Sequence, residues 1–168
     1  DAAIAKLTSG LERQVTKGRL DADERDSIVG RISAASDIAA LADCELVIES
    51  LSEDLAVKLS LFADLDAAVK EGAILATNTS TLPIVEIAMS TGRPELVCGI
   101  HFFNPAPMMK LVEVVRPITA SDDTIATALA FAASCGKDEI EVVDRAGFVV
   151  NALLFPYLNN AIKMWEYG

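Results

Sequence analysis

Five short runs of apolar residues, set apart by helix-length segments and one proline-bearing turn, restrict the fold more than any other property of this chain. The runs fall at 45–49, 73–77, 96–103, 111–115 and 140–143. They are short for helices and nearly all apolar, which suits strands buried on both faces. Apolar residues recur at helical spacing in the segments around them. A first helix is expected at 2–18, where Ile4, Leu7, Leu11 and Val15 share a face. The 20–24 stretch offers a cap and an acidic first turn for a second, running through 32. A third at 53–69 carries Leu55, Leu59, Phe62, Leu65 and Val69 on one stripe, with Gly72 closing it. Further helices are expected at 83–91, 121–134 and 147–165, and Pro156 predicts a kink or break in the last. Strands alternating with helices predict an α/β fold built on a mostly parallel sheet with both faces covered.

Ligands of such sheets sit beyond the carboxyl ends of the strands. The chain's polar residues gather there, at Glu49 and Ser50, at 78–80, and at 101–104. His101 is the single histidine. It reads either as a core imidazole satisfied by a backbone carbonyl or as a general base working near neutral pH. Glu113 lies inside an apolar strand, and a buried carboxylate is costly unless partnered. Lys110, Arg116 or exposure on an edge strand would serve; so would His101, which the carboxylate would then orient. Residues 77–81 offer Thr and Ser caps for a helix with Pro83 near its first position, and a surplus of hydroxyls beyond what capping needs. Asp54 and Lys58 have the spacing of an ordinary surface ion pair. Asn151 is polar in an apolar helical stretch and needs a partner if buried.

Composition narrows the function classes. With 25 acidic and 14 basic residues the formal charge is −11, and no basic patch suited to nucleic acid is visible. Cys44, Cys98 and Cys135 are widely spaced, odd in number and form no C-x-x-C pair, so neither a zinc site nor a disulfide framework is suggested; they read as buried thiols in a reducing compartment, consistent with the cytoplasm. No apolar run is long enough to cross a membrane.

Several stretches together carry a more specific signal: Leu46-Val47-Ile48-Glu49, Thr77-Asn78-Thr79-Ser80, Gly99-Ile100-His101-Phe102-Phe103-Asn104-Pro105-Ala106-Pro107, Met109-Lys110-Leu111-Val112-Glu113-Val114 and Gly147-Phe148-Val149-Val150-Asn151. In this order they resemble the L-3-hydroxyacyl-CoA dehydrogenases of fatty-acid and butyrate metabolism, including the 3-hydroxybutyryl-CoA dehydrogenases. The resemblance implies a Rossmann-like sheet lacking its first strands, with 1–144 a partial NAD-binding domain and 145–168 the start of a helical dimerisation domain. It implies NAD as cofactor, an acyl-CoA as substrate, a homodimer and no membrane or nucleic-acid partner. By position, His101 falls on the catalytic base and Glu113 on its acidic partner. Ser80 falls on a serine touching substrate and cofactor, and Asn151 on an asparagine near the substrate carbonyl. Glu53, Lys58 and Asn104 fall near the nicotinamide half of the cofactor, and Lys17 near the coenzyme A phosphates.

Members of the family open with a strand, a glycine-rich turn, a helix and a second strand ending in an acid for the adenosine ribose. No G-x-G-x-x-G occurs in this chain, and Asp1 is not that acid. The chain therefore reads as an incomplete one, expected to be inactive alone, from an enzyme that interconverts L-3-hydroxyacyl-CoA and 3-oxoacyl-CoA. A non-catalytic protein on the same scaffold and a dehydrogenase of free hydroxy acids are the alternatives.

Overall fold

The computed structural model describes residues 2–168; Asp1 lies outside the described residues. The chain divides into two compact units, one ending at Ala40 and the other spanning Leu41–Gly168. The first contains helices α1 (Ala2–Thr16) and α2 (Ala22–Gly30). Helix α1 stops short of the expected 18, because Gly18 takes a left-handed φ of 65°. Arg25 of α2 reaches Glu12 of α1 and its own neighbour Asp26.

The second unit is built on a five-stranded sheet in the order β1 (Leu46–Glu49), β2 (Ile74–Thr77), β3 (Val97–Phe102), β4 (Leu111–Arg116) and β5 (Asp138–Val143). The first three strands are parallel, β4 runs antiparallel to β3, and β5 is parallel to β4. The mostly parallel sheet is thus present, with one reversal. It falls where the 103–110 connection is too short to carry a crossover helix.

Alternation along the strands separates two faces. On one, Ile74, Ala76, Cys98, Ile100, Val112 and Val114 pack with Ile125, Ala128 and Ala132 of α5 (Asp122–Ser134). Each large apolar side chain fully withdrawn from water there contributes about 1.5–3 kcal/mol. Ser121 caps α5 by accepting from the Thr124 N–H. The other face lies under α3 (Leu55–Ala68) and α4 (Ile84–Ala88), whose Phe62, Ile84 and Ile87 are fully buried. At Gly99 a Cβ would lie 2.4 Å from Ile84 Cδ1 and 2.8 Å from Val115 Cβ. Only glycine lets α4 settle this close to β3.

Several expected boundaries move. Asp54 is the N-cap of α3, accepting from the Val57 N–H at 3.2 Å, so it does not form the expected surface pair with Lys58. Helix α4 is short, begins after Pro83 and has no hydroxyl cap; Asp144 instead accepts from the Val85 N–H at 2.8 Å. Strand β5 begins earlier than expected, at Asp138. Helix α6 (Val150–Tyr167) starts three residues late, because Gly147 and Phe148 take left-handed φ values of 75° and 48°. It runs through Pro156 without a break, since the carbonyl Pro156 cannot bond belongs to the exposed Ala152. Its apolar residues face outward, Leu153 at 71% exposure and Trp165 at 83%.

The thiols are not uniformly buried as expected. Cys98 is, but Cys44 is half-buried and Cys135, at the C-terminal cap of α5, is exposed. Among the described residues no helix is long and apolar enough to cross a membrane.

Candidate active site

Two adjacent rows of residues cross the sheet near the ends of its parallel strands, on the face beneath α3 and α4. One row runs through Glu49, Thr77, Gly99 and Val115. The next places His101 directly opposite Glu113. All four polar side chains of these rows are buried, Glu113 and Thr77 completely.

Glu113 sits on an interior strand, so exposure at a sheet edge does not account for it. Neither basic neighbour is its partner: Lys110 is exposed, and Arg116 bonds Glu141 and Asp122. Its Oε2 is 2.8 Å from His101 Nδ1. Its Oε1 accepts from the backbone N–H groups of Val149 and Val150, both at 3.0 Å, where α6 begins. Three donors converge on one carboxyl group, the surroundings of a carboxylate that accepts at both oxygens. The first turn of a helix adds a favourable dipole. Phe148 occupies a backbone region that costs a bulky residue about 1–3 kcal/mol. The bonds from Val149 and Val150 to Glu113 help hold it there.

His101 is 4% exposed, its ring 4.5 Å from that of Phe103 and 5.6 Å from that of Phe148. Because Nδ1 faces an acceptor it carries the proton, leaving Nε2 as the basic nitrogen. Among the described residues no group bonds Nε2. The one sealed side-chain polar atom without a partner among the described residues is Thr119 Oγ1, so Nε2 keeps a route to solvent.

The turn after β2 uses most of the hydroxyls that exceed the needs of capping. Asn78 stitches three strand ends, donating to Ser50 Oγ and accepting from the Phe102 N–H, both at 2.8 Å. Glu53 Oε1 accepts from Thr79 Oγ1 at 2.6 Å, from the N–H groups of Ser80 and Thr81 at 2.8 and 3.1 Å, and from Thr81 Oγ1 at 3.2 Å. Burial pushes the Glu53 carboxyl up, but these donors and the Lys58 charge outweigh it and leave it below its ordinary value. Of the hydroxyls in this turn, Ser80 Oγ has no partner among the described residues. Asn151, in the first turn of α6, approaches the Ser80 carbonyl at 3.4 Å.

Lys58 is 1% exposed, and its Nζ lies 2.6 and 2.7 Å from the two oxygens of Glu49 and 3.8 Å from Glu53. Thr77 Oγ1 donates to Glu49 as well, at 2.8 Å. Sequence reasoning placed Glu49 at a strand end but gave it no role; its signal was an acid closing an apolar strand, with a lysine one helical turn into the next element. Asn104 is exposed, just past β3 and before a cis bond to Pro105. Lys17 belongs to the first unit, exposed in the turn after α1. The structure therefore gathers His101, Glu113, Ser80, Asn151, Glu53 and Lys58 at one end of the sheet.

The unpartnered Ser80 hydroxyl beside the anionic Glu53 turn fits the carboxamide and ribose of a nicotinamide nucleotide, which need both donors and acceptors. No glycine-rich turn joins a strand to a helix among the described residues, so none of them supplies a backbone cradle for a pyrophosphate.

The family model described as "3-hydroxyacyl-CoA dehydrogenase, NAD binding domain" matches residues 1–145. The chain is similar to a 3-hydroxybutyryl-CoA dehydrogenase of Mycobacterium tuberculosis, with 44% identity over 97% of this chain and 58% of the relative. A 3-hydroxybutyryl-CoA dehydrogenase of Clostridioides difficile is 42% identical over 100% of this chain and 60% of its own length. The crystal structure of 3-hydroxybutyryl-CoA dehydrogenase from Escherichia coli superposes with a TM-score of 0.96 at 38% identity, over 99% of this chain and 35% of that one. The chain thus spans somewhat over half the length of the curated relatives it matches.

Proposed function

The chain belongs to the 3-hydroxyacyl-CoA dehydrogenase family through its NAD-binding domain, and from that premise we propose that the protein carrying it interconverts an L-3-hydroxyacyl-CoA and the 3-oxoacyl-CoA. The observation that carries this reading is the His101–Glu113 pair, an imidazole with one nitrogen bound to a buried carboxylate and the other unengaged. Such a pair suits removal of a proton from an alcohol. His101 Nε2 takes the proton of the substrate 3-hydroxyl, and the imidazolium so formed keeps its Nδ1–H on Glu113. The negative charge of Glu113 stabilises that cation inside a site with little access to water. NAD, when bound, accepts the hydride that leaves the same carbon. In the opposite direction the imidazolium returns its proton to the oxygen.

Ser80 Oγ and the Asn151 amide, whose Nδ2 lies 3.4 Å from the Ser80 carbonyl, are assigned to the substrate oxygens, and Glu53, Lys58 and Asn104 are assigned by resemblance to the side toward the nicotinamide. A short acyl chain is favoured because the relatives above carry the name 3-hydroxybutyryl-CoA dehydrogenase. Lys17 is assigned to the coenzyme A phosphates by resemblance alone. The outward apolar face of α6 is assigned to a helical domain and a homodimer, and the protein to the cytoplasm. The 168 residues by themselves are expected to be inactive, because their sequence holds no G-x-G-x-x-G turn for a pyrophosphate.

The test is turnover by the full-length gene product. NADH should appear when 3-hydroxybutyryl-CoA and NAD are supplied together, and His101→Gln should abolish it. Absence of NADH with both short and long 3-hydroxyacyl-CoA substrates would overturn the assignment, and activity on free 3-hydroxybutyrate in preference to its thioester would redirect it.

A further inference from the structure

Glu49 lies one row away from the His101–Glu113 pair and touches neither of them in the sheet register. Yet it is 4% exposed, and its partners Lys58 and Thr77 are buried with it. Both of its oxygens face Lys58 Nζ, Thr77 Oγ1 donates to one, and the Leu51 N–H donates to the other at 2.5 Å. Lys58 is as deeply buried as an aliphatic core residue, so its charge needs a full counter-charge in place. The next carboxylate within reach is Glu53, whose Oε2 is 3.8 Å away. Glu53 already has an occupation, since its other oxygen gathers the Thr79 hydroxyl and the N–H groups of Ser80 and Thr81.

From this chain of contacts we propose that Glu49 is a positioning residue for the reaction: by satisfying Lys58 it leaves Glu53 free to hold the turn that presents Ser80. Lys58 lies between two carboxylates at unequal distances. With Glu49 ionised, the nearer pair closes and Glu53 keeps its bonds to the turn. With Glu49 neutralised, Lys58 has one anion left, and the closest approach to it draws the Glu53 carboxylate away from Ser80 and Thr81. Thr77 reinforces the arrangement, because its hydroxyl both donates to Glu49 and accepts from the Thr79 N–H at 3.3 Å. Glu49 acts through Lys58 and Glu53 rather than on substrate.

The inference rests on the dehydrogenase reading for its effect on turnover, but its structural part can be read without any activity. In the full-length protein, Glu49→Gln should speed amide hydrogen exchange at Ser80 and Thr81 by roughly tenfold or more while leaving exchange in β4 unchanged. The same variant should lower kcat by roughly ten- to a hundredfold, as expected for a displaced reacting group. The double variant Glu49→Gln with Lys58→Met removes the competing cation, and should restore slow exchange at Ser80 and Thr81. Faster exchange spread evenly over the sheet, with kcat per folded molecule unaltered, would reduce Glu49 to a structural residue and overturn the proposal. So would a double variant whose turn exchanges as fast as that of the single variant. If the unsubstituted protein shows no turnover, the dehydrogenase reading fails, and exchange at the turn still decides the role of Glu49.

Discussion

The two faces of the sheet are made by the same strands and differ at almost every position. Toward α5 each strand offers Ile74, Ala76, Cys98, Ile100, Val112 and Val114, an apolar surface out to its ends. Toward α3 and α4 the same strands offer Glu49, Thr77, His101 and Glu113 once the ends are reached. Ile48 is followed by Glu49, Ala76 by Thr77, Ile100 by His101, and Val112 by Glu113, so each polar group stands back to back with an apolar one. A slip of one residue in any of these four strands would drive a polar side chain into the α5 core. The apolar face therefore fixes the register on which the polar face depends. Hydrophobic burial, which is non-directional, sets the coordinates of hydrogen bonds that tolerate errors of only a few tenths of an ångström.

The comparison breaks most visibly if the polar face is altered. His101→Gln in the full-length protein should lower kcat by roughly 10³-fold or more, because it removes the proposed proton acceptor, with little change in unfolding midpoint. Glu113→Gln should lower kcat by roughly 10²-fold and also cost stability. An amide turns an NH2 group toward one of the three donors that now find carboxylate oxygens. Steady-state kinetics beside thermal denaturation separates the two effects. Retention of more than about a tenth of the rate by His101→Gln would show that the base lies elsewhere.

Substitution on the apolar face should do the reverse. Ile100 is fully buried against α5, and Ile100→Ala should cost about 2–5 kcal/mol of stability by leaving a cavity. Its kcat, measured well below the midpoint and corrected for the folded fraction, should stay within about threefold of the unsubstituted value, since the strand register survives. Denaturant unfolding checks the first and initial rates the second. A large fall in kcat would mean that the faces are coupled by more than register. Gly99→Ala probes the boundary between them with a smaller effect, about 1–3 kcal/mol. Ile84 Cδ1 can move aside, but Val115 Cβ, 2.8 Å from the new methyl, cannot.

The strands and most helices were legible because burial writes apolar periodicity directly into the residues. His101 and Glu113 were legible as a cost: an acid in an apolar strand requires a partner, and the chain has one histidine to offer. The true environment of Lys58 was not. Spacing to Asp54 suggested a surface pair, whereas Asp54 caps α3 and Lys58 turns inward to Glu49. That contact joins a helix to a strand end, and no local pattern encodes it. The late start of α6 was hidden for a similar reason, since the N–H that follows the left-handed Phe148 bonds Glu113 on a distant strand.

The smallest expected effect concerns the turn itself and depends on pH. The Glu53 carboxyl lies below its ordinary value of 4.5: burial opposes ionisation, but the bonds from Thr79, Ser80 and Thr81 and the charge of Lys58 prevail. A carboxyl group depressed in the folded state stabilises the fold above its unfolded value. That contribution is lost as pH falls through the folded one. The stability gap between the unsubstituted protein and Glu53→Gln should therefore be constant from neutrality down to about 4.5 and shrink below it. The gap is modest, because the Glu53 side chain is 40% exposed and water screens its interactions. Urea unfolding of both proteins across that range measures it. A gap that stays flat through the acid limb would mean that Glu53 does not hold the turn as an anion. The Ser80 hydroxyl would then owe its position to the bonds of Thr79, Asn78 and Asn151.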